Sequence, residues 1–195
     1  MLAVVLATAA GATAFVVGDA PSSVRDATWQ VMATPDPALA NVSLSGVSCV
    51  SGSDCVAVGV ADATALAEHF DGTGWSVMSS AGIAGAALSS VSCPAANMCM
   101  ATGYDTRYPN GAAVELFDGS SWQQESLPLI YGSDVSLGDV SCASASDCMA
   151  VGDYYGSDSY LPLALHWSGG SWTQVGVPSE GNDYTIPTSV SCTAG

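Results

Sequence analysis

Outside its N-terminal segment the chain shows no apolar stripe at the 3.6-residue spacing of an amphipathic helix. Its apolar positions come in short runs, rich in Val, aromatic and small residues, broken by Gly, Ser, Asp and Pro. Runs of this kind predict strands joined by turns, and hence an all-β fold. The runs also repeat. Each complete unit opens with Leu-x-x-Val-Ser-Cys: Leu44 to Cys49, Leu88 to Cys93, Leu137 to Cys142. Next comes Cys-x-Ala-(Val/Thr)-Gly: Cys55 to Gly59, Cys99 to Gly103, Cys148 to Gly152. A third apolar run follows in ALAEHFDG (65 to 72), AVELFDG (113 to 119) and LALHWSGG (163 to 170), and a Trp-led run closes the unit as WSVM, WQQE or WTQV.

Two independent markers share the period. Trp29, Trp75, Trp122 and Trp172 are 46, 47 and 50 residues apart, and Cys49, Cys93, Cys142 and Cys192 are 44, 49 and 50 apart. Four strands in that length make a unit of the size of a β-propeller blade. The expected fold is therefore a row of blades of four antiparallel strands. Residues 28–195 form the repeat domain, with units at about 44–78, 88–125 and 137–175 and a partial one at 186–195.

With its paired cysteines and its Gly-x-x-Trp turns (Gly72 to Trp75, Gly119 to Trp122, Gly169 to Trp172), the repeat resembles the secreted bacterial β-propeller repeats that carry both features, distantly similar to kelch and Asp-box blades. The resemblance covers roughly residues 28 to 192 and implies an exported bacterial protein. Asp71 and Asp118 stand four residues before their Trp, Ser168 takes that place in the third unit, and Asp26 stands three before Trp29. In the Asp-box such a residue locks a turn.

Cysteines at the two ends of a short hairpin turn face each other across the ladder, where opposed Cα atoms lie about 4.5–5.5 Å apart, within disulfide range. The expected bridges are Cys49–Cys55, Cys93–Cys99 and Cys142–Cys148. Zinc sites and redox dithiols favour shorter ligand spacings, and the only histidines, His69 and His166, both sit in third runs. Disulfides place the protein in an oxidising compartment, secreted or on a cell surface. Cys192 is left over. By the same spacing its partner would fall beyond Gly195, so the simplest reading is a fragment of a larger propeller.

Residues 1–27 carry LAVVLATAAGATAFVV (2 to 17), which has the apolarity of a signal-peptide core, although no Lys or Arg precedes it. The same segment reads alternatively as a cysteine-less partial blade, because AFVVGD (14 to 19) echoes CMAVGD (148 to 153) as a second strand. On that reading the two chain ends combine into a fourth blade.

Charge narrows the partners. The chain has 18 Asp and Glu against two Arg (Arg25, Arg107) and no Lys, a balance of −16. Phosphate backbones and anionic membranes are bound by clustered basic side chains, so neither nucleic acid nor a membrane surface is an expected partner. Only a tenth of the residues are charged, and most of the carboxylates read as solvated surface.

In an antiparallel meander the disulfide turns and the Asp-Gly turns share one end of the sheet. The opposite end carries the connections that vary in length, and all seven tyrosines fall there: Tyr104, Tyr108, Tyr131, Tyr154, Tyr155, Tyr160 and Tyr184. Tyrosine combines contact area with a hydroxyl at modest entropy cost, so this is the candidate ligand face for protein or carbohydrate.

Catalytic constellations are harder to assemble. A sialidase-like clamp needs several arginines. Glu68 and Glu115 recur at one repeat position, where the third unit has Leu165, as residues serving the fold do. No Gly-x-Ser-x-Gly phrase singles out a serine. Asp-rich stretches such as GSDSY (156 to 160) and EGNDY (180 to 184) offer oxygen ligands for calcium without EF-hand spacing, and no other cofactor is expected. The expected function is a secreted, non-catalytic recognition or scaffold module. Its alternative is a hydrolase or lyase of propeller fold acting on extracellular polysaccharide.

Overall fold

The structure is a computed structural model that describes residues 3–9, 12–18, 30–34, 41–79, 85–105, 111–156, 158–178 and 186–193. Every regular element among these is a strand. Three sheets have four antiparallel strands each, in sequence order. The first holds β4 (Val42–Ser51), β5 (Asp54–Ala61), β6 (Thr64–Phe70) and β7 (Trp75–Val77). The second holds β8 (Ala86–Ala95), β9 (Met98–Asp105), β10 (Ala112–Phe117) and β11 (Trp122–Gln124). The third holds β12 (Ser133–Ser144), β13 (Asp147–Tyr155), β14 (Tyr160–Trp167) and β15 (Trp172–Val175). A further sheet of three strands, β1 (Ala3–Ala9), β2 (Ala12–Gly18) and β3 (Gln30–Ala33), precedes them. The segment with the apolarity of an export signal thus contains two paired strands.

The sheets stack face to face as propeller-like blades, and among the described residues they do not close into a ring. Alternation along each strand sends one set of side chains to either neighbour. Val56, Val58, Ala65 and Ala67 of the first blade meet Leu88, Val91, Ala101 and Ala113 of the second in one core. Met98, Met100 and Val114 of the second meet Leu137, Ala150, Leu163 and Leu165 of the third in another. The outer face of the first blade packs Leu44, Ala57, Leu66, Phe70 and Trp75 together with Met32 of the N-terminal sheet. Two of these three cores lie between blades, so each blade leans on its neighbours for much of its burial.

The two cysteine phrases have separate physical reasons. Bridges join Cys49–Cys55, Cys93–Cys99 and Cys142–Cys148, with Cα atoms 4.0, 4.1 and 3.9 Å apart. The recurrent glycine answers a bulge: each first strand shifts register one residue after its Leu. This presses a carbonyl onto the second strand. A Cβ at Gly59, Gly103 or Gly152 would lie 1.9, 2.0 or 1.9 Å from the carbonyl oxygen of Ser43, Ala87 or Ser136. No side chain fits there.

Each Trp-led strand begins opposite an aromatic residue of the third strand. Phe70–Trp75, Phe117–Trp122 and Trp167–Trp172 pair across the ladder with ring centroids 5.4, 5.4 and 5.6 Å apart. The Gly-x-x-Trp turn sets that distance. Its glycines Gly72, Gly119 and Gly169 take φ of 92°, 92° and 82°, a left-handed conformation open to glycine.

Candidate functional site

The turns between strands one and two lie against those between strands three and four: Gly72 abuts Ser53, Gly119 abuts Asn97, and Gly169 abuts Ser146. This end is built for rigidity. Asp71 Oδ1 accepts from Thr73 N at 2.8 Å, Thr73 Oγ1 at 2.7 Å and Gly74 N at 3.0 Å. Asp118 Oδ1 does the same with Ser120 N at 2.9 Å, Ser120 Oγ at 2.7 Å and Ser121 N at 2.9 Å. Donors aimed at the charged form hold both carboxyls down to about 2, the side-chain hydroxyl contributing most. These aspartates are committed to their own turns.

The described tyrosines lie at the opposite end, and more of them belong to strands than the loop reading implied. The third blade's hairpin continues to Tyr155 opposite Tyr160, so the stretch 153–162 narrows to a turn closed by Gly156 N donating to Ser159 O at 2.9 Å. Cross-strand pairing continues because the flanking residues keep a strand pattern right up to the glycine. Likewise VADAT (60 to 64) reduces to a two-residue turn at Asp62 and Ala63, with φ of 45° and 59°. Tyr104 sits near the end of β9 and stays 47% exposed, although the third blade stacks on that side of the sheet.

Tyr131, Tyr154, Tyr155 and Tyr160 all stand at this end of the third blade. Ser133 stands opposite Tyr155 and Tyr155 opposite Tyr160, in one row across three strands. The Tyr155 and Tyr160 rings meet edge to face with centroids 5.3 Å apart. Gly132 brings the segment of Tyr131 against Tyr154, since a Cβ there would lie 2.5 Å from Tyr154 Cδ2 and 2.6 Å from the Tyr155 carbonyl oxygen. Tyr154 is half-buried against the core between the second and third blades. It also lines an open cleft of about 410 Å³ with Leu161, Pro162, Gln174 and Val175. Tyr131 is 86% exposed, and Leu129 beside it 69%. Tyr108 and Tyr184 lie outside the described residues.

Asp134 and Asp158 flank this row and are exposed, while burial raises the carboxyl of Asp153. Arg25 and Arg107 both lie outside the described residues. Among the described residues no group of three His, Cys, Asp or Glu is arranged to hold a metal ion. The stretch EGNDY (180 to 184) lies outside them.

The residues weighed for catalysis occupy fold positions. Glu68 and Glu115 are fully buried in the third strands of their blades, and Leu165 fills the same place in the third. Burial pushes the Glu68 carboxyl up to about 7. His69 Nε2 and His166 Nε2 lie 2.9 Å from Asp54 Oδ1 and Asp147 Oδ1, a pairing the sequence reading missed. Its signal was present: the second blade replaces both members at once, with Met98 and Leu116, which join the core that holds Leu127 and Ile130. A pair exchanged as a unit for two apolar side chains serves the hairpin it ties.

The serine of each Val-Ser-Cys phrase was also missed. First strands are sheet edges, with one row of backbone groups unpaired. Ser48 Oγ accepts from Cys93 N at 2.9 Å, Ser92 Oγ from Cys142 N at 3.0 Å, and Ser141 Oγ from Cys192 N at 2.9 Å. Ser90 Oγ adds a 2.6 Å hydrogen bond to Asp139 Oδ1. The serines thus link first strand to first strand along the stack.

Searched against models of known families and against curated proteins, the chain matches none.

Proposed function

We propose that the protein is a secreted or cell-surface, non-catalytic recognition or scaffold module that binds protein or carbohydrate through the tyrosine end of its blades. The observation that carries this reading is the edge-to-face Tyr155–Tyr160 pair on a closed hairpin, with the exposed Tyr131 at the same end of the blade. Aromatic rings positioned by a rigid sheet lose little entropy on binding and supply both a flat apolar surface and hydroxyls. The opposite end has its polar groups engaged in turn locks, which leaves it little to offer a ligand. Three disulfides within blades accord with an oxidising compartment.

A glycan array and a panel of immobilised extracellular proteins, probed with the native chain and with Tyr131→Ala and Tyr155→Ala, test this reading. Binding that falls at least about tenfold in both variants, with thermal stability unchanged, supports it. Turnover of a polysaccharide by the chain, abolished by one carboxylate substitution, would reject it in favour of a hydrolase or lyase.

A further inference from the structure

The outward edge of β14 is covered for only part of its length. The fourth strand β15 pairs with Ala164 to Trp167, so Tyr160 to Leu163 have no ladder partner on that side among the described residues. Between this bare edge and residues 175–177 lies the open cleft of about 410 Å³. None of the side chains lining it is charged.

Strand pairing fixes which side chains reach the cleft. Tyr154 stands opposite Leu161, and Gln174 opposite Leu165. Leu163 and Leu165 belong to the core shared with the second blade, and alternate residues of a strand share a face. Tyr154, Leu161 and Gln174 therefore stand on the face toward the second blade. Neither the Tyr154 hydroxyl nor the Gln174 amide has a hydrogen-bond partner among the described residues.

The edge itself does not invite a further strand. In the first two blades the N–H three residues after the Trp donates to the third strand, Met78 to Ala67 O and Glu125 to Val114 O, both at 2.9 Å. Ala164 holds that place in β14, opposite Val175. Every second residue of an antiparallel strand turns its backbone groups to the same neighbour, so the next one is Pro162. It has no N–H to give, and proline at that place blunts an edge against strand addition. Its carbonyl remains as an acceptor.

We propose that this cleft binds a neutral saccharide. The proposal rests on the tyrosine end being a recognition surface and deepens it, naming carbohydrate rather than protein as the ligand. A sugar ring presents an apolar C–H face together with hydroxyls that both donate and accept. Tyr154 supplies an aromatic surface and a hydroxyl, Leu161 and Pro162 an apolar wall, and the Gln174 amide two donors and an acceptor. The volume lies in the range of small-molecule sites. A charge balance of −16 opposes anionic saccharides, and Pro162 opposes an added peptide strand.

The test is an array of neutral glucan, mannan, xylan and chitin oligosaccharides, with uronic-acid and sulfated oligosaccharides as charged comparators and a panel of immobilised extracellular proteins beside it. The native full chain is expected to bind a neutral class and no charged one. Gln174→Ala should weaken that binding at least about tenfold, and Tyr154→Phe about threefold or more. Gly176→Trp should abolish it: a Cβ there meets nothing within 4 Å, so the fold accepts a side chain that obstructs the cleft. Melting temperatures at the native value establish that each variant is folded. Binding of a neutral saccharide that all three variants retain would overturn the cleft and leave the tyrosine end as the recognition surface. Binding to immobilised proteins alone, or to charged saccharides alone, would overturn the proposal while the recognition reading stands. No binding to any of these probes would overturn both.

Discussion

Ser92 Oγ accepts a hydrogen bond from the backbone N–H of Cys142, 3.0 Å away on the next blade. The contact couples a side chain of one repeat to the unpaired edge of another. Ser92→Ala would leave that N–H without its acceptor, at a cost of about 1–2 kcal/mol. Urea unfolding is expected to show this loss with the Cys93–Cys99 bridge still closed. An unchanged midpoint would mean that water replaces the serine at no cost.

Gly103 faces the Ala87 carbonyl so closely that a Cβ would lie 2.0 Å from its oxygen. Since the obstacle is backbone, the second blade can accept a side chain only by giving up its bulge. Gly103→Ala is expected to destabilise by about 3 kcal/mol, at the upper end for overpacking. Gly74→Ala, where a Cβ meets nothing within 4 Å, is the control and should change stability little. Equal effects at the two sites would contradict the assigned register.

Glu68 is fully buried, and neither carboxylate oxygen has a hydrogen-bond partner among the described residues. Desolvation raises its pKa from 4.5 to about 7 in the folded chain. The folded state therefore holds the proton more tightly than the unfolded state. This stabilising contribution is fully present below about pH 4.5 and is lost as pH rises through about 7. Glu68→Leu, the residue found at this place in the third blade, removes the titration. Thermal melts should show the variant above the native chain at alkaline pH by several degrees, with the gap closing in acid. A gap independent of pH would refute the assignment.

Asp71 and Asp118 shift the opposite way, held to about 2 by hydroxyl and amide donors. Here stability is present above the ordinary value of 3.8 and is lost as pH falls towards about 2. The double variant Asp71→Ala with Asp118→Ala is expected to flatten the melting temperature across that interval. If the native acid limb persists in the variant, other carboxylates produce it.

Much of the fold was legible in the chain because the chain states it three times. Repeated phrases aligned on Cys and Trp expose strand order, blade size and disulfide partners, since each depends on contacts within one repeat. The same locality showed which turns share an end, and hence where the described tyrosines stand. Contacts between repeats left fainter traces. The serine of Val-Ser-Cys and the His–Asp pairs carried a repeat signal, but nothing in the sequence says which neighbour a hydroxyl or a ring will reach.

The sequence by itself therefore determined the hairpin, the four-strand unit and the sulfur bridge, all products of short-range pairing over a few residues of chain. Only the tertiary structure decided that Glu68 is sealed and Tyr131 bare, and that Ser92 meets Cys142. It also decided that the apolar N-terminal segment contains two paired strands. Those outcomes depend on which sheet face each neighbour covers, and burial of that kind is a property of the stack rather than of any one repeat.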